Sequence, residues 1–417
     1  MIIIRGEITE QKDFVDVVQW LLKDFRYLDW LNAETDTPEI LSDAVRFILQ
    51  NYGSSPYDSY VGLKNMVDSA ELIRITPGVD ELEGLFIQIP AIIALSGPSL
   101  NKQLPYLKTM QDKAVIICAD TALKVLEREG ITPHFVCKKE RFDNTTAAVE
   151  GKHKSVLVLC PVCNPDVFTR YEGRKVIAYR DYAHFNWMPF KKGFIRKPGT
   201  VGNMCFGLAE LLGCSPIVLI GADHAFSGNQ THAQGAEEYI GKQQGHCRIK
   251  GYYGGLVDSK PEFADAVRIF ALDSQRRKDV YNATEGGAYI EGTAHKKFKS
   301  INLPPWPVGA ANAFDMIDYM LSDYDPPEVD WDALKKDTVK RLDKIIYQCE
   351  RGLEGLCTMG AVVETDPYIW NMLIIHVIQP YHLVWMIDKG DLCEWFTVVR
   401  DATRMVREVM KDAMVYK

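Results

Sequence analysis

Between residues 91 and 223, short and almost wholly apolar runs alternate with longer stretches whose apolar residues return every third or fourth position. The runs are 91–96, 114–120, 135–140, 155–162, 175–181 and 216–223. A run of four to eight apolar residues without alternation reads as a strand buried on both faces. Helical stretches between such strands predict an α/β fold: a Rossmann-like, mostly parallel, doubly wound central sheet covered by helices. Upstream, Phe14, Val17, Val18, Leu21, Leu22 and Phe25 recur at helical spacing, and Pro38 opens a second helical stretch that runs to Gln50. Downstream, Pro304-Pro305-Trp306-Pro307 and Pro326-Pro327 punctuate the path before helical periodicity returns at 331–349, 368–388 and 391–413. The expected organisation is a mainly helical N-terminal region (1–88), a central α/β domain (89–305) and an all-helical C-terminal domain (306–417).

Composition narrows this picture. A chain of 417 residues exceeds one typical domain, and 47% hydrophobic with 25% charged residues supports folded cores. The net charge of −8 argues against a nucleic-acid binder, which tracks phosphates with a basic surface. No apolar run is long enough to predict a membrane span, and Met1–Glu7 does not read as a secretory leader. Ten cysteines are scattered, with Cys118, Cys137, Cys205 and Cys214 inside predicted elements, so buried free thiols in a reducing, cytoplasmic setting are expected. Cys160-Pro161-Val162-Cys163 is a lone C-x-x-C, a weak signal for a metal. Oligomeric state is not legible.

In a doubly wound sheet the ligand lies beyond the carboxyl ends of the strands. The groups expected there are Ser96-Gly97-Pro98-Ser99, Asp120-Thr121, Lys138-Lys139-Glu140, Asp181 and Asp223-His224. Gly97 permits close approach of the backbone to a phosphate or ribose, and Ser99 is expected to cap a helix whose first amides face an anion. On this reading Gly97→Ala combined with Ser99→Ala abolishes nucleotide binding and leaves the fold intact. Gly199-Thr200-Val201 opens a second helix with the same property. Lys138 and Lys139 read either as charges set against a phosphate or as a solvated strand-end pair. For a general base the candidates are His232, carried on the loop Gly228-Asn229-Gln230-Thr231, and His224, which follows Asp223 and could instead orient. His376 and His382 read as packing residues. No G-x-x-x-x-G-K-[ST] loop is present.

The words Ser96-Gly97-Pro98-Ser99-Leu100, Ala114–Leu123, Gly130-Ile131-Thr132-Pro133-His134-Phe135, Gly199-Thr200-Val201, Gly221-Ala222-Asp223, Thr231-His232-Ala233 and Tyr281–Gly292 keep an order and spacing that resembles a known pair of families. These are the motility accessory factor (Maf) family of flagellin glycosyltransferases and the archaeal 6-hydroxymethylpterin diphosphokinases, whose MptE-like domain shares the same centre. The resemblance covers roughly residues 90–295 and extends to the sialyltransferase-like fold. It implies that the central domain binds a nucleotide and is catalytic. Ser96, Gly97, Pro98, Ser99, Asp120, Thr121, Gly199, Thr200, Val201, Asn282 and Thr284 would hold the nucleotide or donor, and His232, His224 and Asp223 would serve catalysis. The implied reaction moves a nonulosonic, sialic-acid-like sugar from a CMP-activated donor to a protein such as flagellin. The alternative is diphosphoryl transfer from ATP to a pterin, the one reading that calls for Mg²⁺, for which Asp120, Asp181 and Asp223 are the carboxylates on hand. A third reading is a non-catalytic nucleotide-binding scaffold. One departure stands out: the families commonly end the third strand with aspartate, where this chain has Val136-Cys137-Lys138-Lys139-Glu140-Arg141-Phe142-Asp143, leaving Glu140 or Asp143 as stand-ins. The helical flanks favour the glycosyltransferase by architectural analogy.

Overall fold

The computed structural model describes residues 56–180, 185, 187–195, 199–227, 230–236, 247–307, 309, 311–370 and 392–412. The chain divides into two compact units: Asp68–Val329, and a second that joins residues before Asp68 to those after Val329.

The first unit is built on an eight-stranded sheet. Its strands are β1 (Ala91–Ala94), β2 (Val115–Ala119), β3 (Phe135–Lys138), β4 (Val156–Leu159), β5 (Lys175–Ile177), β6 (Ile217–Ile220), β7 (Val280–Asn282) and β8 (Ala294–His295). In space they run β8-β7-β6-β1-β2-β3-β4-β5, and every neighbouring pair is parallel. In register, Ala91 of β1 lies opposite Ile217 of β6 on one side and Val115 of β2 on the other. The six strands expected from apolar runs are all present, and β1, β2, β4 and β6 are buried along their whole length, which explains why they read as continuous runs. With three and two residues, β7 and β8 are too short to leave a pattern in the sequence.

After β1 the chain lays β2 to β5 to one side and returns β6 to β8 to the other, so the order reverses between β1 and β6. One face carries Ile93, Ile117, Phe135, Cys137 and Leu219, which pack with Met204, Cys205, Phe206 and Leu208 of a buried helix, α3 below, and with Phe270. Helices α1 (Leu100–Lys108) and α2 (Asp120–Arg128) follow β1 and β2 and bury Leu104, Leu107, Leu123 and Leu126 outside that cluster. Helix α3 (Val201–Leu211) precedes β6, and α4 (Pro261–Gln275) precedes β7. Gly202 lets α3 lie against β1's end, where a Cβ would come 2.7 Å from Leu95 Cδ1.

In the stretch before β1, helices run over Pro56–Asp68 and Ala70–Ile75; residues 1–55, with the periodicities proposed there, lie outside the described residues. Helix α5 (Ala313–Ser322) belongs to the first unit; two long helices, α6 (Trp331–Leu353) and α7 (Leu392–Asp412), dominate the second and match the periodicities at 331–349 and 391–413. The expected helix 368–388 lies mostly outside the described residues. Among the described residues no helix is long and apolar enough to cross a membrane. All ten cysteines carry free thiols, and Cys118, Cys137, Cys205 and Cys214 are buried as expected.

Candidate active site

A sheet whose strand order reverses opens a crevice beyond the carboxyl ends of the two strands at the reversal, here β1 and β6. Their exits are bound closely together. The Gly97 amide donates to Gly221 O at 2.9 Å. Ser99 donates twice to Asp223 Oδ2, from its amide at 3.1 Å and from its hydroxyl at 2.7 Å. The Ser99 hydroxyl therefore does not cap α1, as the sequence suggested; it is turned across the reversal to a buried carboxylate on the neighbouring strand. Burial raises the Asp223 carboxyl pKa, opposed by these Ser99 bonds and by Lys102. Gly97 proves to be a packing glycine as well. A Cβ there would stand 2.2 Å from Asp223 Oδ2 and 2.4 Å from Gly221 O, so the expectation that Gly97→Ala spares the fold is corrected.

The exit of β1 also gathers β2 and a distant loop. Ser96 Oγ lies 2.7 Å from Thr121 Oγ1, and Ser96 O accepts the Ala233 amide at 2.7 Å. This last bond brings His232 beside the Ser-Gly-Pro-Ser turn across more than a hundred residues of sequence. Thr231 Oγ1 lies 2.8 Å from His232 Nδ1, and burial followed by the Lys260 charge lowers the His232 pKa. Gly228 and Asn229 of the same loop lie outside the described residues.

His224 is placed differently. Its backbone has a positive φ of 46°, its ring lies 5.9 Å from Phe263 and 5.4 Å from Phe270, and burial pulls its pKa down to about 4. Its Nε2 has no hydrogen-bond partner among the described residues. Asn282 and Thr284 are fully buried: Asn282 Oδ1 accepts the Thr284 amide at 3.1 Å, Thr284 Oγ1 accepts the Ala222 amide at 3.3 Å, and Asn282 Nδ2 has no hydrogen-bond partner among the described residues.

At the exits of β2 and β3 the sequence reading needs its largest correction. Lys138 is no solvated surface residue: its side chain is 0% exposed and its Nζ lies 3.2 Å from Oδ2 of Asp120, itself 5% exposed. Burial raises the Asp120 carboxyl pKa, and the Lys138 ammonium opposes that rise most strongly. Asp120 Oδ1 accepts the Thr121 amide at 3.0 Å. The adjacent Lys139 donates from Nζ to Gly199 O, tying β3 to the Gly199-Thr200-Val201 turn. That turn is held by Asn203 Oδ1, which accepts the Thr200 amide at 2.9 Å and the Thr200 hydroxyl at 3.0 Å. Burial brings the Lys139 pKa down to about 7, helped by Arg180 and Arg141 and opposed by Glu140 and Cys160. Cys163 Sγ donates to Lys138 O at 3.5 Å, so the C-x-x-C pair lines the same end of the sheet as buried thiols. Arg141 and Arg180 went unnoticed in the sequence, although each lies within a few residues of an expected strand's end.

A Mg²⁺ site fits this donor set poorly. Among the described residues no three His, Cys, Asp or Glu side chains gather closely enough to hold a metal. Asp120 faces an ammonium and Asp223 faces an amide and a hydroxyl. Asp181, His376 and His382 lie outside the described residues, as does the side chain of Asp143.

Comparison with known proteins bears on the same stretch of chain. Residues 64–229 match the model of the 6-hydroxymethylpterin diphosphokinase MptE-like family. This stretch is similar to that family. It contains the Ser-Gly-Pro-Ser turn, the Asp120–Lys138 pair, Lys139 and Asp223. Over 95% of its length the chain is also similar in structure to the Maf glycosyltransferase from Magnetospirillum magneticum AMB-1, with a TM-score of 0.61, 18% identity and 68% of that chain covered. The two findings join the MptE-like stretch to a Maf-like α/β fold with a helical C-terminal region, as the resemblance in sequence implied. No curated protein sequence matches the chain.

Proposed function

We propose that the protein is a glycosyltransferase that moves a nonulosonic sugar from a CMP-activated donor to a hydroxyl of a protein acceptor such as flagellin. The observation that carries this reading is the bond from Ala233 to Ser96, which sets a histidine of lowered pKa beside the glycine turn at the β1–β6 reversal. A neutral imidazole can accept a proton from an acceptor hydroxyl as the hydroxyl oxygen bonds to the sugar's anomeric carbon. The bond from that carbon to the CMP phosphate breaks with its electron pair leaving on the phosphate. In the tautomer whose Nδ1–H donates to Thr231 Oγ1, the ring is held in place and Nε2 is the proton acceptor. Asp223 holds the Ser-Gly-Pro-Ser turn in shape through Ser99. The Maf-like fold supports this reading at the level of a transferase.

The match over 64–229 favours a second reading, diphosphoryl transfer from ATP to a pterin. Thermal unfolding with CMP, CTP, ATP and GTP, each with and without Mg²⁺, separates the two. A nucleotide at a hundred times its Kd adds about 2.7 kcal/mol, a visible rise in Tm. Protection by cytidine nucleotides supports the sugar transferase; protection by ATP only with Mg²⁺ moves the assignment to the diphosphokinase; no protection leaves a scaffold. Within the first reading, His232→Ala should lower turnover roughly 10²- to 10⁴-fold with donor affinity unchanged. Because the His232 pKa is lowered, the acid limb of the kcat profile should fall below the ordinary histidine value of about 6.5.

A further inference from the structure

Beyond the β1–β6 reversal, a second group of residues at the same end of the sheet is arranged in a way that stability alone does not explain. The Lys139 ammonium is bound to Gly199 O, two residues before the first residue of α3, an eleven-residue helix. A helix presents partial positive charge at its N-terminus, so a cation is the unfavourable partner there. Arg180 and Arg141 add like charge to the same lysine, with Glu140 and the Cys160 thiol as the counteracting groups. Burial first, and then the Arg180 and Arg141 charges, pull the Lys139 pKa down to about 7. Lys139 follows β3 directly and Arg180 follows β5 by three residues, so the cluster lies at the carboxyl ends of the strands on the β3–β5 side of the reversal. Two guanidinium charges acting on an ammonium that is bonded just before a helix N-terminus suit an anion bound among them.

We infer that Lys139, Arg141 and Arg180, with the N-terminal turn of α3, form an anion subsite for the phosphate of the activated donor. This assignment of a phosphate rests on the nucleotide reading above; the anion subsite itself does not. The net charge of −8 and the compactness of the cluster favour a small phosphate ester over a nucleic acid. Lys139 supplies a point charge anchored by Gly199, while the two guanidinium groups supply forked donors suited to phosphate oxygens.

The test titrates the full chain with inorganic pyrophosphate, sulfate, CMP and cytidine by calorimetry. Pyrophosphate and CMP should bind the wild type. Lys139→Ala and Arg180→Gln should each weaken both by about tenfold or more, the loss expected of one charge-assisted hydrogen bond, and should leave cytidine unchanged. Sulfate keeps its charge near neutrality, so its affinity for the wild type should fall as pH rises through about 7, and Lys139→Arg should abolish that dependence. Arg180, Arg141, Glu140 and Cys160 are the charged or titratable groups acting on Lys139. Pyrophosphate that fails to bind the wild type, or binds both variants equally well, overturns the subsite. Should Lys139→Ala not fold, as judged by far-UV circular dichroism, Arg180→Gln and Arg141→Gln decide the question. If CMP does not bind but pyrophosphate does and is lost in the variants, the nucleotide reading falls and the anion subsite stands.

Discussion

Both units carry exposed ion pairs, Arg248–Asp258 in the sheet unit among them, but the sheet unit also shuts one away from solvent. In the sheet unit Lys138 and Asp120 form an ion pair whose side chains are 0% and 5% exposed. In the helical unit Arg407–Asp343 and Arg404–Glu350 lie at 2.5 and 2.8 Å with every side chain partly or fully open to solvent. Exposed pairs keep most of their hydration and cost little to form. A buried pair loses its hydration, and its mutual attraction rarely returns more than that loss, so well-packed apolar residues would serve stability as well. Under the proposed function the charges held inside at the carboxyl end of the parallel sheet serve a ligand bound there, whereas those of α6 and α7 stay hydrated at the surface. The glycines repeat the contrast. Gly97 is pinned against backbone and a hydrogen-bonded carboxylate, while Gly352 of α6 faces the ring of Phe396 on α7, 2.2 Å from where its Cβ would stand.

The contrast breaks most readily at Gly97. An alanine Cβ would overlap Gly221 O and Asp223 Oδ2, and neither can move without opening the bonds between β1 and β6. Gly97→Ala should cost more than about 4 kcal/mol, in the range reserved for forced backbone rearrangement, and urea unfolding should show little native protein. A variant of near wild-type stability would mean that the β1–β6 exits are looser than their hydrogen bonds indicate.

Next in size is Lys138→Met, which strands the Asp120 carboxylate in the interior. The expected loss is about 3–5 kcal/mol, and adding Asp120→Asn should recover most of it because the orphaned charge is then gone. If the double variant is no more stable than the single one, the lysine stem's packing matters and the pair does not. Gly352→Ala should follow at about 1–3 kcal/mol, since the obstacle is a side-chain ring that can turn aside.

How far these features could be read in advance follows from what each leaves in the sequence. Strands β1, β2, β4 and β6 announce themselves because burial on both faces removes every polar position from the run. The glycine turn after β1 was legible for the same reason, as its residues sit where that run stops, whereas the strand order that puts β6 beside β1 leaves no mark in the runs. Lys138 was not legible, because lysine is ordinarily a surface residue and only the pairing of β2 with β3 brings Asp120 to it. A charge of opposite sign closing each of two adjacent strands was the available signal. Ser99 was misread through a sound local rule: serine before a helix usually caps it, and here a carboxylate from β6, remote in sequence, competes successfully for the hydroxyl. In the sequence His232 was set ahead of His224 as a base only by the loop that carries it. Tertiary packing separates them, sending one ring against Phe263 and Phe270 and tying the other's loop to Ser96.

The smallest effect should come from Arg407→Ala. Arg407 donates from Nε to Asp343 Oδ1 at 2.5 Å and from Nη1 to Glu408 Oε1 at 2.7 Å, so its bonding is at least as short as that of Lys138. Geometry alone would rank it the stronger interaction. Solvent reverses the ranking, because the Asp343 and Glu408 carboxylates, 50% and 54% exposed, are rehydrated once the guanidinium is removed, whereas Asp120 has no water to turn to. Arg407→Ala should therefore cost less than about 1 kcal/mol, and raising the salt concentration should shrink even that, while the penalty for Lys138→Met should hardly respond to salt. Equal salt responses at the two positions would show that water reaches the Lys138–Asp120 pair, and the distinction between inward and outward charge would then no longer separate the two units.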